Sequence, residues 1–582
     1  MECTVRAVTD AAVRAVRGRR RPDLLTWLPT VTLALFLAPV GAGLLGTWLP
    51  AFGWLPSLGG HTITLAPWGA LLAAPELPGA LRLTLTTGLL ASVASFCITI
   101  GFCAAAHGTY AFRAIERLLA PVLAMPHAAV ALGLAFLIAP SGWLARLLSP
   151  WATGWLAPPA LATVQDPWGL ALTLGLVAKE VPYLLLMTIA ASAQVEAKES
   201  LAIARSLGYG PTTAWLKGVL PRVYPQIRMP IYAVLAYSLS VVDMALILAP
   251  ATPPPLAPLL LRWFAAPDLD QRFTAAAGAT LQFLLVVGAI AAWRLLEAVA
   301  AWVGRRSIAG GRRGGGGYVP RAFATAGMII LLALAAGSLA ANAIWSLADR
   351  WRFPAPLPTA WTLATWQRHA SNLGGLALTT VTVGIAATAA ALALALGCLE
   401  NEKRHALRFS NRGLWLIYTP LLVPQVSFLF GLQVLLVSIH LDGTWVGLVW
   451  SHLLFVLPYV FLSLADPYRS LDDRYARSAL CLGATPNRVF WRVKLPMLRQ
   501  PALVALAVGF AVSAAQYLPT LFAGAGRFDT LTTEAVGLAA GADRRVIGVY
   551  ALVQALLPLL AFALAVTRRR AERPARSAAG RR

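Results

Sequence analysis

Charged side chains are scarce in this chain of 582 residues. Asp, Glu, Lys and Arg make up 12% of it, about half of the fraction that is usual in soluble domains. The charges fall in short runs, and the apolar stretches between them are about 20 residues long, enough to cross a bilayer as a helix. These stretches lack the alternating apolar and polar residues, in segments of about 10, that a membrane β-barrel requires. The composition excludes a soluble protein and predicts an all-α polytopic membrane protein.

The apolar stretches predict about twelve transmembrane helices. Their bounds follow from the positions at which the charged runs begin and end. The predicted spans cover residues 26–50, 79–105, 118–140, 168–192, 229–250, 274–303, 323–347, 376–399, 413–438, 445–465, 502–524 and 546–567.

Lysine is the rarest charged residue, with five copies, and none of them follows a glycine. A phosphate-binding loop of the Gly-Lys-Ser/Thr type is therefore absent, which predicts that the chain has no ATPase site of its own. The sequence also lacks an HExxH motif and a recognisable Ser/His/Asp or paired-carboxylate set, so we predict no catalytic residue. A metal site built from His127 and His452 is an alternative that two histidines do not support, and we predict no metal.

Acidic residues are half as numerous as basic ones, 24 against 48, which gives a formal net charge of +24. Three quarters of the Lys and Arg residues lie in both tails and in the connections on the same side of the membrane. The positive-inside rule then predicts cytoplasmic N- and C-termini. The excess charge is a topology signal, and we expect the tails to meet anionic lipid headgroups rather than nucleic acid. The N-terminal apolar run is interpreted as a retained span, because it is long and lacks a cleavage site.

A Gly- and Arg-rich segment divides the spans into two sets of six and is predicted to be a flexible cytoplasmic linker. Short phrases recur on both sides of it: TLTTG answers TVTVG, PHAAVALG answers PQVSFLFG, and VPYLLL answers LPYVFL. Six is an even number, so both halves cross the membrane in the same direction, as in transporters with parallel repeats. The predicted division is 1–77 (tail, first span, outside loop), 78–303 (first transmembrane domain), 304–321 (linker), 322–371 (seventh span, outside loop), 372–567 (second transmembrane domain) and 568–582 (basic cytoplasmic tail).

A further repeat lies in the cytoplasmic connection between the fourth and fifth spans of each half. The phrases are LGYGPTTAWLKGVLP, residues 207–221, and LGATPNRVFWRVKLP, residues 482–496. Each predicts a helix–turn–helix. A first helix would end at Gly208 or Gly483, because glycine suits the left-handed conformation of a helix C-terminal cap.

The second helix of each loop is predicted to begin at its proline, since proline is favoured in a first turn, and to end at the Leu-Pro pair. Its exposed face would carry aromatic and cationic side chains suited to insertion into a partner's pocket. The alternative is an amphipathic helix on the lipid interface, but two copies at equivalent positions favour a partner. The predicted docking residues are Ala204, Gly208, Pro211, Trp215, Lys217 and Pro221 in the first loop, and Ala479, Gly483, Pro486, Phe490, Trp491, Arg492 and Pro496 in the second.

At these residues the chain resembles a known family. The order of Gly, short helix and Leu-Pro is similar to the EAA loop of binding-protein-dependent ABC importer permeases, and the resemblance covers roughly 78–295 and 372–566. The second alanine of the family motif matches at Ala204 and Ala479. A permease with two such loops on one chain looks most like the thiamine and ferric-iron importer subgroup.

The resemblance implies two type I ABC importer transmembrane domains in a bacterial inner membrane. The loops would be coupling helices that dock onto two copies of a cytoplasmic ATPase subunit. ATP and Mg would be bound by those subunits, with no cofactor on this chain, and a periplasmic binding protein would deliver a small solute. The Glu that opens the family motif is replaced by Ala202 and Arg477, which affects ion pairing at the docking surface more than the role of the loop.

Four polar residues within predicted spans mark a candidate translocation path, because ionisable groups in a bilayer are costly and often functional. Lys179 and Glu180 precede the VPY phrase, whereas the matching stretch of the second half is apolar. Asp243 and Gln516 occupy similar places in the two fifth spans. A carboxylate in the path would suit a cationic substrate. The alternative for each residue is a hydrogen bond between packed helices.

Two other functions are left open by the sequence. An ion-gradient-driven transporter of the six-plus-six kind would need no ATPase and would depend on titratable intramembrane residues. An intramembrane enzyme would require a catalytic set, which the sequence lacks. The repeated loop favours the ABC permease, whereas thiamine, ferric iron and other small solutes all stay open as substrates.

Overall fold

The computed structural model describes residues 24–571, apart from 312, 315–317 and 408–410. The remainder of both predicted tails lies outside these residues. Nine of the described helices are long and apolar enough to cross a membrane, or eleven when each of two sharply bent pairs counts as one span. The prediction of an all-α polytopic fold is confirmed, whereas a count of twelve spans is not reached within the described residues.

The helices of the first half follow the predicted apolar runs. Two short strands, β1 (Trp54–Leu55) and β2 (Gly60–His61), form an antiparallel hairpin after the first helix. The helices are α1 (Leu24–Ala51), α2 (Ala66–Ala73), α3 (Leu77–Ala106), α4 (Tyr110–Ala124), α5 (His127–Ile138), α6 (Trp143–Leu148), α7 (Leu170–Gln194), α8 (Ala197–Ser206), α9 (Pro211–Ala214), α10 (Leu220–Ser240), α11 (Asp243–Leu248), α12 (Leu256–Phe264) and α13 (Gln271–Ala309).

The second half repeats this order. Its strands β3 (Ala348–Arg350) and β4 (Ala360–Trp361) again pair as an antiparallel hairpin after the first helix of the half. The helices are α14 (Tyr318–Leu347), α15 (Ala364–Arg404), α16 (Asn411–Leu422), α17 (Val426–Ser438), α18 (Trp445–Arg469), α19 (Asp473–Cys481), α20 (Pro486–Val489), α21 (Leu495–Met497), α22 (Arg499–Ala514), α23 (Leu518–Gly524), α24 (Leu531–Leu538) and α25 (Arg544–Ala571).

The third span of each half is predicted to be continuous, and this is wrong. Helices α4 and α5 separate at Met125 and Pro126. Helices α16 and α17 separate around Pro424, and their axes differ by 95°. Proline lacks the N–H that would continue a helix and disfavours the helical conformation of the preceding residue. The prolines that open PHAAVALG and PQVSFLFG therefore mark breaks in the helices.

The two fifth spans are also broken, and the breaks fall at the polar residues predicted for the translocation path. Helix α10 ends at Ser240, and two residues separate it from Asp243, where α11 begins. Helices α22 and α23 are separated by three residues that include Gln516. Backbone groups freed by a break need partners at membrane depth. The Asp243 carboxylate lies at this break, close to the backbone N–H groups at the start of α11.

The phrases TLTTG and TVTVG have the same role in each half. Thr84 Oγ1 accepts a hydrogen bond of 2.8 Å from the backbone N–H at the start of α12. Thr380 Oγ1 accepts one of 3.0 Å from the N–H at the start of α24. The glycines that end the phrases, Gly88 and Gly384, pack against α10 and α22. The predicted repeat is thus a repeat of contacts as well as of residues.

The first helix of each half packs against the other half: α1 against α17, and α14 against α5. A Cβ added to Gly431 of α17 would overlap the backbone of Gly43 and Gly46 in α1. Gly133 of α5 lies against the backbone of Ser338 in α14 in the same way. Small residues allow such close approach of membrane helices. The glycines that end PHAAVALG and PQVSFLFG therefore sit at the two helix crossings.

Hydrogen bonds and hydrophobic cores also join the first helix of each half to the other half. Asn342 of α14 donates a hydrogen bond of 2.9 Å to the Ala129 carbonyl in α5, and Thr47 of α1 accepts one of 3.2 Å from the Gly431 N–H. The hydrophobic core around α5 and α7 includes side chains of α14. The core around α17 and α18 includes side chains of α1. The two sequence halves are interlocked.

The predicted flexible linker is shorter than the sequence indicates. Helix α13 continues through Arg305 and Arg306 to Ala309, and α14 begins at Tyr318. Arg and Ser are tolerated in a helix, so composition alone does not end α13. The helix ends at paired glycines, of which Gly311 has a φ of +63°, a conformation that glycine adopts without steric cost.

We expect Gly431→Leu to reduce the yield of folded, monodisperse protein about tenfold, because the leucine would force α1 and α17 apart. Size-exclusion chromatography in detergent and the thermal unfolding midpoint would measure the effect. Gly101→Leu is the matched control, since Gly101 lies in α3 with no atom within 4 Å of an added Cβ. A Gly431→Leu protein as stable as the Gly101→Leu protein would contradict the packing of α1 on α17.

Candidate functional site

The glycine caps of the two repeated loops are confirmed. Gly208 and Gly483 have φ values of +83° and +82°, which a residue with a Cβ adopts only with strain. Each helix end is closed by the two backbone hydrogen bonds of a Schellman motif. These bonds are Gly208 to Arg205 (2.9 Å) and Tyr209 to Ala204 (3.1 Å) in the first loop, and Gly483 to Leu480 (3.0 Å) and Ala484 to Ala479 (3.1 Å) in the second.

The starts of the second helices are also as predicted. Pro211 and Pro486 occupy the first positions of α9 and α20. In the second loop the Thr485 side chain caps α20 by accepting a hydrogen bond of 3.3 Å from the Arg488 N–H. Gly210 holds the equivalent position in the first loop and offers no side-chain cap. The second loop is therefore better capped.

The predicted stop at Leu-Pro is wrong in the first loop. A π-helical turn, Trp215–Val219, joins α9 to α10, and the helix runs on to Ser240 without a break. Pro221 lies in the first turn of α10, directly after the π turn. The backbone N–H that proline lacks is not needed there for the helix to continue. In the second loop a π turn, Phe490–Lys494, leads to α21, and the chain then bends by 74° into α22. The first loop is therefore continuous with the fifth span of its half, whereas the second loop meets the fifth span of its half at a bend.

The prediction that Trp215 is exposed is wrong, because its side chain is fully buried. When the phrases are aligned by their glycines, Trp215 corresponds to the partly buried Phe490, and Leu216 to Trp491. The Trp491 side chain is 64% exposed. The π turn adds a residue to the turn, which rotates the following side chains relative to an α-helical wheel. The exposed aromatic and cation are thus Trp491 and Arg492 of the second loop.

Lys217 of the first loop points back to the membrane bundle. Its Nζ donates a hydrogen bond of 2.7 Å to the Ser307 carbonyl near the end of α13, and it lies 5.6 Å from the centre of the Tyr209 ring. A cleft of about 330 Å³ opens beside it between α8 and the second helix. Its apolar and small lining residues are Ile203, Ala204, Leu207, Ala214, Gly218 and Ile308.

The second loop is held through Lys494, by residues that the sequence did not single out. Lys494 Nζ lies 2.7 Å from Glu400 Oε2 at the end of α15. The buried Glu400 carboxylate also accepts hydrogen bonds from the Tyr468 hydroxyl and, at 2.7 Å, from Arg404 Nε. Glu400 lies in the phrase LENEKR, which resembles a solvated charge run and gives no signal of burial. A buried carboxylate with three cationic or hydroxyl donors fixes this loop to α15 and α18.

The described part of the connection between the halves contacts the first loop. The Gly210 N–H donates a hydrogen bond of 2.9 Å to the Arg313 carbonyl, and Arg313 side-chain atoms lie 3.4 Å from a Cβ built on Gly208. Among the described residues, no atom lies within 4 Å of a Cβ built on Gly483. The two loops therefore present different surfaces.

The two positions at which the family motif has Glu are both exposed, at Ala202 and Arg477. Close to Arg477, the side chain of Asp472 caps α19 and accepts hydrogen bonds of 2.9 Å and 2.8 Å from the Arg474 backbone and Nε. These hydrogen bonds hold the pKa of Asp472 below its usual range. A carboxylate thus remains on this surface, at the start of the helix.

Lys179 is placed by the break in the third span. Its Nζ donates hydrogen bonds of 3.2 Å and 2.6 Å to the carbonyls of Val122 and Met125, at the end of α4. These carbonyls have lost their helical partners. No ion pair within 4 Å joins Lys179 to a carboxylate in the described part of the chain. Hydrogen bonding to these carbonyls is therefore a structural role for the buried Lys179 ammonium.

Glu180 and Asp243 lie among tyrosines contributed by both halves. Glu180 lies close enough to Tyr183 of the VPY phrase and Tyr459 of the LPY phrase for its charge to act on both, and Tyr459 also lies near Tyr183. The Tyr237 hydroxyl lies 3.4 Å from Asp243 Oδ1. We call the set the tyrosine–carboxylate cluster; its members are Glu180, Asp243, Tyr183, Tyr237, Tyr418, Tyr459 and Tyr517.

The remaining polar residues of the spans have separate environments. Both ring nitrogens of His452 are hydrogen-bonded, to Ser513 Oγ at 2.8 Å and to Thr520 Oγ1 at 3.0 Å. His127 packs on Tyr237, with ring centres 4.9 Å apart. Gln516 is buried at the break of the second fifth span. Within the described residues no three His, Cys, Asp or Glu side chains are grouped to hold a metal.

Comparison with known proteins places these features in a family. A family model described as "Binding-protein-dependent transport system inner membrane component" matches residues 389–573, which include the second loop. The inner membrane ABC transporter permease protein YnjC of Escherichia coli K12 is 35% identical over 506 residues, 86% of this chain and 90% of the relative.

Two further relatives match over shorter stretches. The diacetylchitobiose uptake system permease protein NgcG of Streptomyces coelicolor is 31% identical over 173 residues, 28% of this chain and 51% of its own. The putrescine transport system permease protein PotI of Escherichia coli K12 is 30% identical over 137 residues, 22% of this chain and 48% of its own. Each of these two matches covers about half of the relative's own length.

We expect Trp215→Ala to lower the free energy of unfolding by about 3–5 kcal/mol, because truncating a buried Trp leaves a cavity. The fraction of folded protein in detergent as a function of temperature would measure the effect. Trp491→Ala is the matched control, since this Trp is 64% exposed and its removal should leave the melting curve unchanged. Equal destabilisation by both substitutions would contradict the burial of Trp215.

Proposed function

Because the chain belongs to the ABC transporter permeases, we propose that it is the membrane-spanning subunit of an ATP-driven importer with both transmembrane domains on one chain. The subunit would bind two copies of a separate ATPase subunit on the cytoplasmic side of a bacterial inner membrane. ATP and Mg would be held by those subunits. A periplasmic binding protein would deliver a small solute at the opposite face.

The observation that carries the proposal is the pair of helix–turn–helix loops at equivalent positions of the two halves. Both have the same Schellman cap and the same proline start. Short capped helices present side chains in a fixed geometry and suit insertion into a groove of a partner. One loop per half calls for one partner per half, which supports two ATPase copies.

We infer that the second loop binds its ATPase subunit mainly through Trp491 and Arg492. Both side chains are exposed, and Trp and Arg are the residues most enriched at the energetic centres of interfaces. The first loop presents Leu216 and the cleft beside Lys217 instead. The two ATPase copies would therefore meet unequal surfaces.

Motion of the ATPase subunits would reach the membrane along different routes in the two halves. The first loop is continuous with its fifth span, so a tilt of the loop moves α10 directly. The second loop meets α22 at 74° and is tied by Lys494 to Glu400 at the end of α15. Import then requires that ATP and the solute each distinguish an outward-facing from an inward-facing arrangement.

The relatives leave the solute open, since the names of two of them refer to diacetylchitobiose and putrescine. Thiamine and ferric iron, which the resemblance in the loops implies, stay within the proposal as candidates. The cytoplasmic position of both termini likewise rests on the distribution of Lys and Arg.

We expect Trp491→Ala to weaken ATPase-subunit binding roughly 30-fold, the effect of removing an interfacial hot-spot Trp worth about 2 kcal/mol. Co-purification with the ATPase subunit and ATP-dependent uptake in proteoliposomes would both decrease. Trp151→Ala is the matched control, because Trp151 is 77% exposed in a connection on the other side of the membrane.

Gly483→Arg provides an independent test at the same surface. No described atom lies within 4 Å of a Cβ at this position, but the φ of +82° strains an arginine there. The melting curve in detergent therefore has to show that the membrane bundle is folded, and a bulky cation on the loop should then block docking. Uptake driven by an ion gradient and unaffected by either substitution would reject the ABC importer and favour the secondary transporter.

A further inference from the structure

We propose that the tyrosine–carboxylate cluster is a binding site for an organic ammonium ion on the translocation path. The inference rests on the proposed function, and it adds the chemical class of the solute. The site would be formed by Glu180 and Asp243 with tyrosines of both halves. It would take a cation with one net positive charge and apolar substituents.

The position of the cluster follows from the repeat. Tyr183 and Tyr459 stand at the same place in the VPY and LPY phrases of the two halves, and they lie close enough to interact electrostatically. Equivalent residues of two repeats approach each other only near the axis that relates the repeats. The cluster therefore lies between the two transmembrane domains, where a path between parallel repeats is expected.

When Glu180, Asp243 and Lys179 are all ionised, the cluster carries one net negative charge. Glu180 and Asp243 are the two carboxylates, and Lys179 is the ammonium that acts on both of them. Lys179 donates to two backbone carbonyls, so its hydrogen-bonding capacity is largely used by the break in the third span. A single positive charge on a ligand would neutralise the remainder.

Glu180 is the group that most needs a partner. Its side chain is buried, with the residue 5% exposed, and within the described residues no hydrogen bond or ion pair reaches its carboxylate. A buried carboxylate without a partner is unfavourable. Because Asp243 stands at the N-terminal end of α11 and lies 3.4 Å from the Tyr237 hydroxyl, Glu180 is the carboxylate that a ligand would pair with.

The tyrosines select the type of cation. Tyr183, Tyr237, Tyr459 and Tyr517 are partly buried, so part of each side chain remains accessible. Aromatic rings attract ammonium ions that carry apolar groups, as in the aromatic sites for quaternary ammonium ligands. A small metal ion would need several oxygen or nitrogen ligands grouped together, and the described chain holds no group of three such side chains.

The test uses the full-length chain in lipid nanodiscs with radiolabelled tetramethylammonium as the probe. Equilibrium dialysis should show saturable binding of about one probe per chain. Choline should compete, whereas sulfate and an uncharged alcohol of similar size should not. We expect Glu180→Gln and Asp243→Asn each to weaken binding roughly tenfold, and Tyr459→Leu to weaken it severalfold.

Glu534→Gln is the matched control, because Glu534 lies in α24 and acts on Tyr550 rather than on the cluster. It should bind the probe as the unsubstituted chain does. Asp243→Glu retains the charge and should restore most of the affinity, which separates loss of charge from loss of folding. Absence of saturable binding, or equal loss in the Glu534→Gln protein, would overturn the proposal.

The experiment separates this inference from the proposed function. A chain that co-purifies with its ATPase subunits and imports an anion or a neutral solute, but does not bind tetramethylammonium, rejects the cation site alone. A chain that binds the probe through Glu180 and Asp243 and does not associate with ATPase subunits rejects the ABC importer while keeping the cation site.

Discussion

The close approach of helix backbones at Gly431 and Gly133 is the contact on which the rest of this structure depends. At these two points the first helix of each half crosses the other half, and a side chain on either glycine would separate them. Apolar burial gives little preference between helices within a bilayer, so van der Waals contact and hydrogen bonds decide which helices associate. Thr47 and Asn342 add hydrogen bonds at the same crossings. These crossings interlock the two halves.

Broken helices are the second constraint, and they explain several buried polar residues. A membrane helix that ends inside the bilayer leaves carbonyl and N–H groups that lipid does not satisfy. Lys179 satisfies carbonyls at the end of α4, and Thr84 and Thr380 satisfy N–H groups at the starts of α12 and α24. The cost of burying these side chains is offset by the backbone groups they bond. Glu180 has no such structural partner within the described residues, which is the reason for assigning it to a ligand.

The repeat is symmetric in its backbone contacts and asymmetric in its side chains. Both loops have the same glycine cap, yet the first is covered by Arg313 and the second is open. Both VPY-type phrases place a tyrosine near the axis, yet both carboxylates come from the first half. Shared backbone contacts preserve the fold of each half. The differing side chains let the two halves bind unlike surfaces and give the proposed cation site a charged side and an aromatic side.

The sequence by itself determined the features that depend on neighbouring residues. The apolar runs predicted the membrane helices, and Gly208 and Gly483 predicted the helix caps, because cap geometry follows from the conformations open to one or two residues. The internal repeat and the resemblance in the loops were also readable before any contact was known. The expected continuity of the third and fifth spans failed, although the prolines in the third spans were visible in the sequence.

Tertiary structure alone decided which helices cross and which side chains meet. The burial of Trp215, the pairing of Lys494 with Glu400, and the meeting of Tyr183 with Tyr459 join residues far apart in the chain or depend on a π turn. Local patterns do not specify such contacts, because a charged residue at the end of a span looks the same whether it meets water or a buried lysine. The packing of each first helix against the other half was not predictable for the same reason. A glycine in an apolar run does not indicate which backbone approaches it.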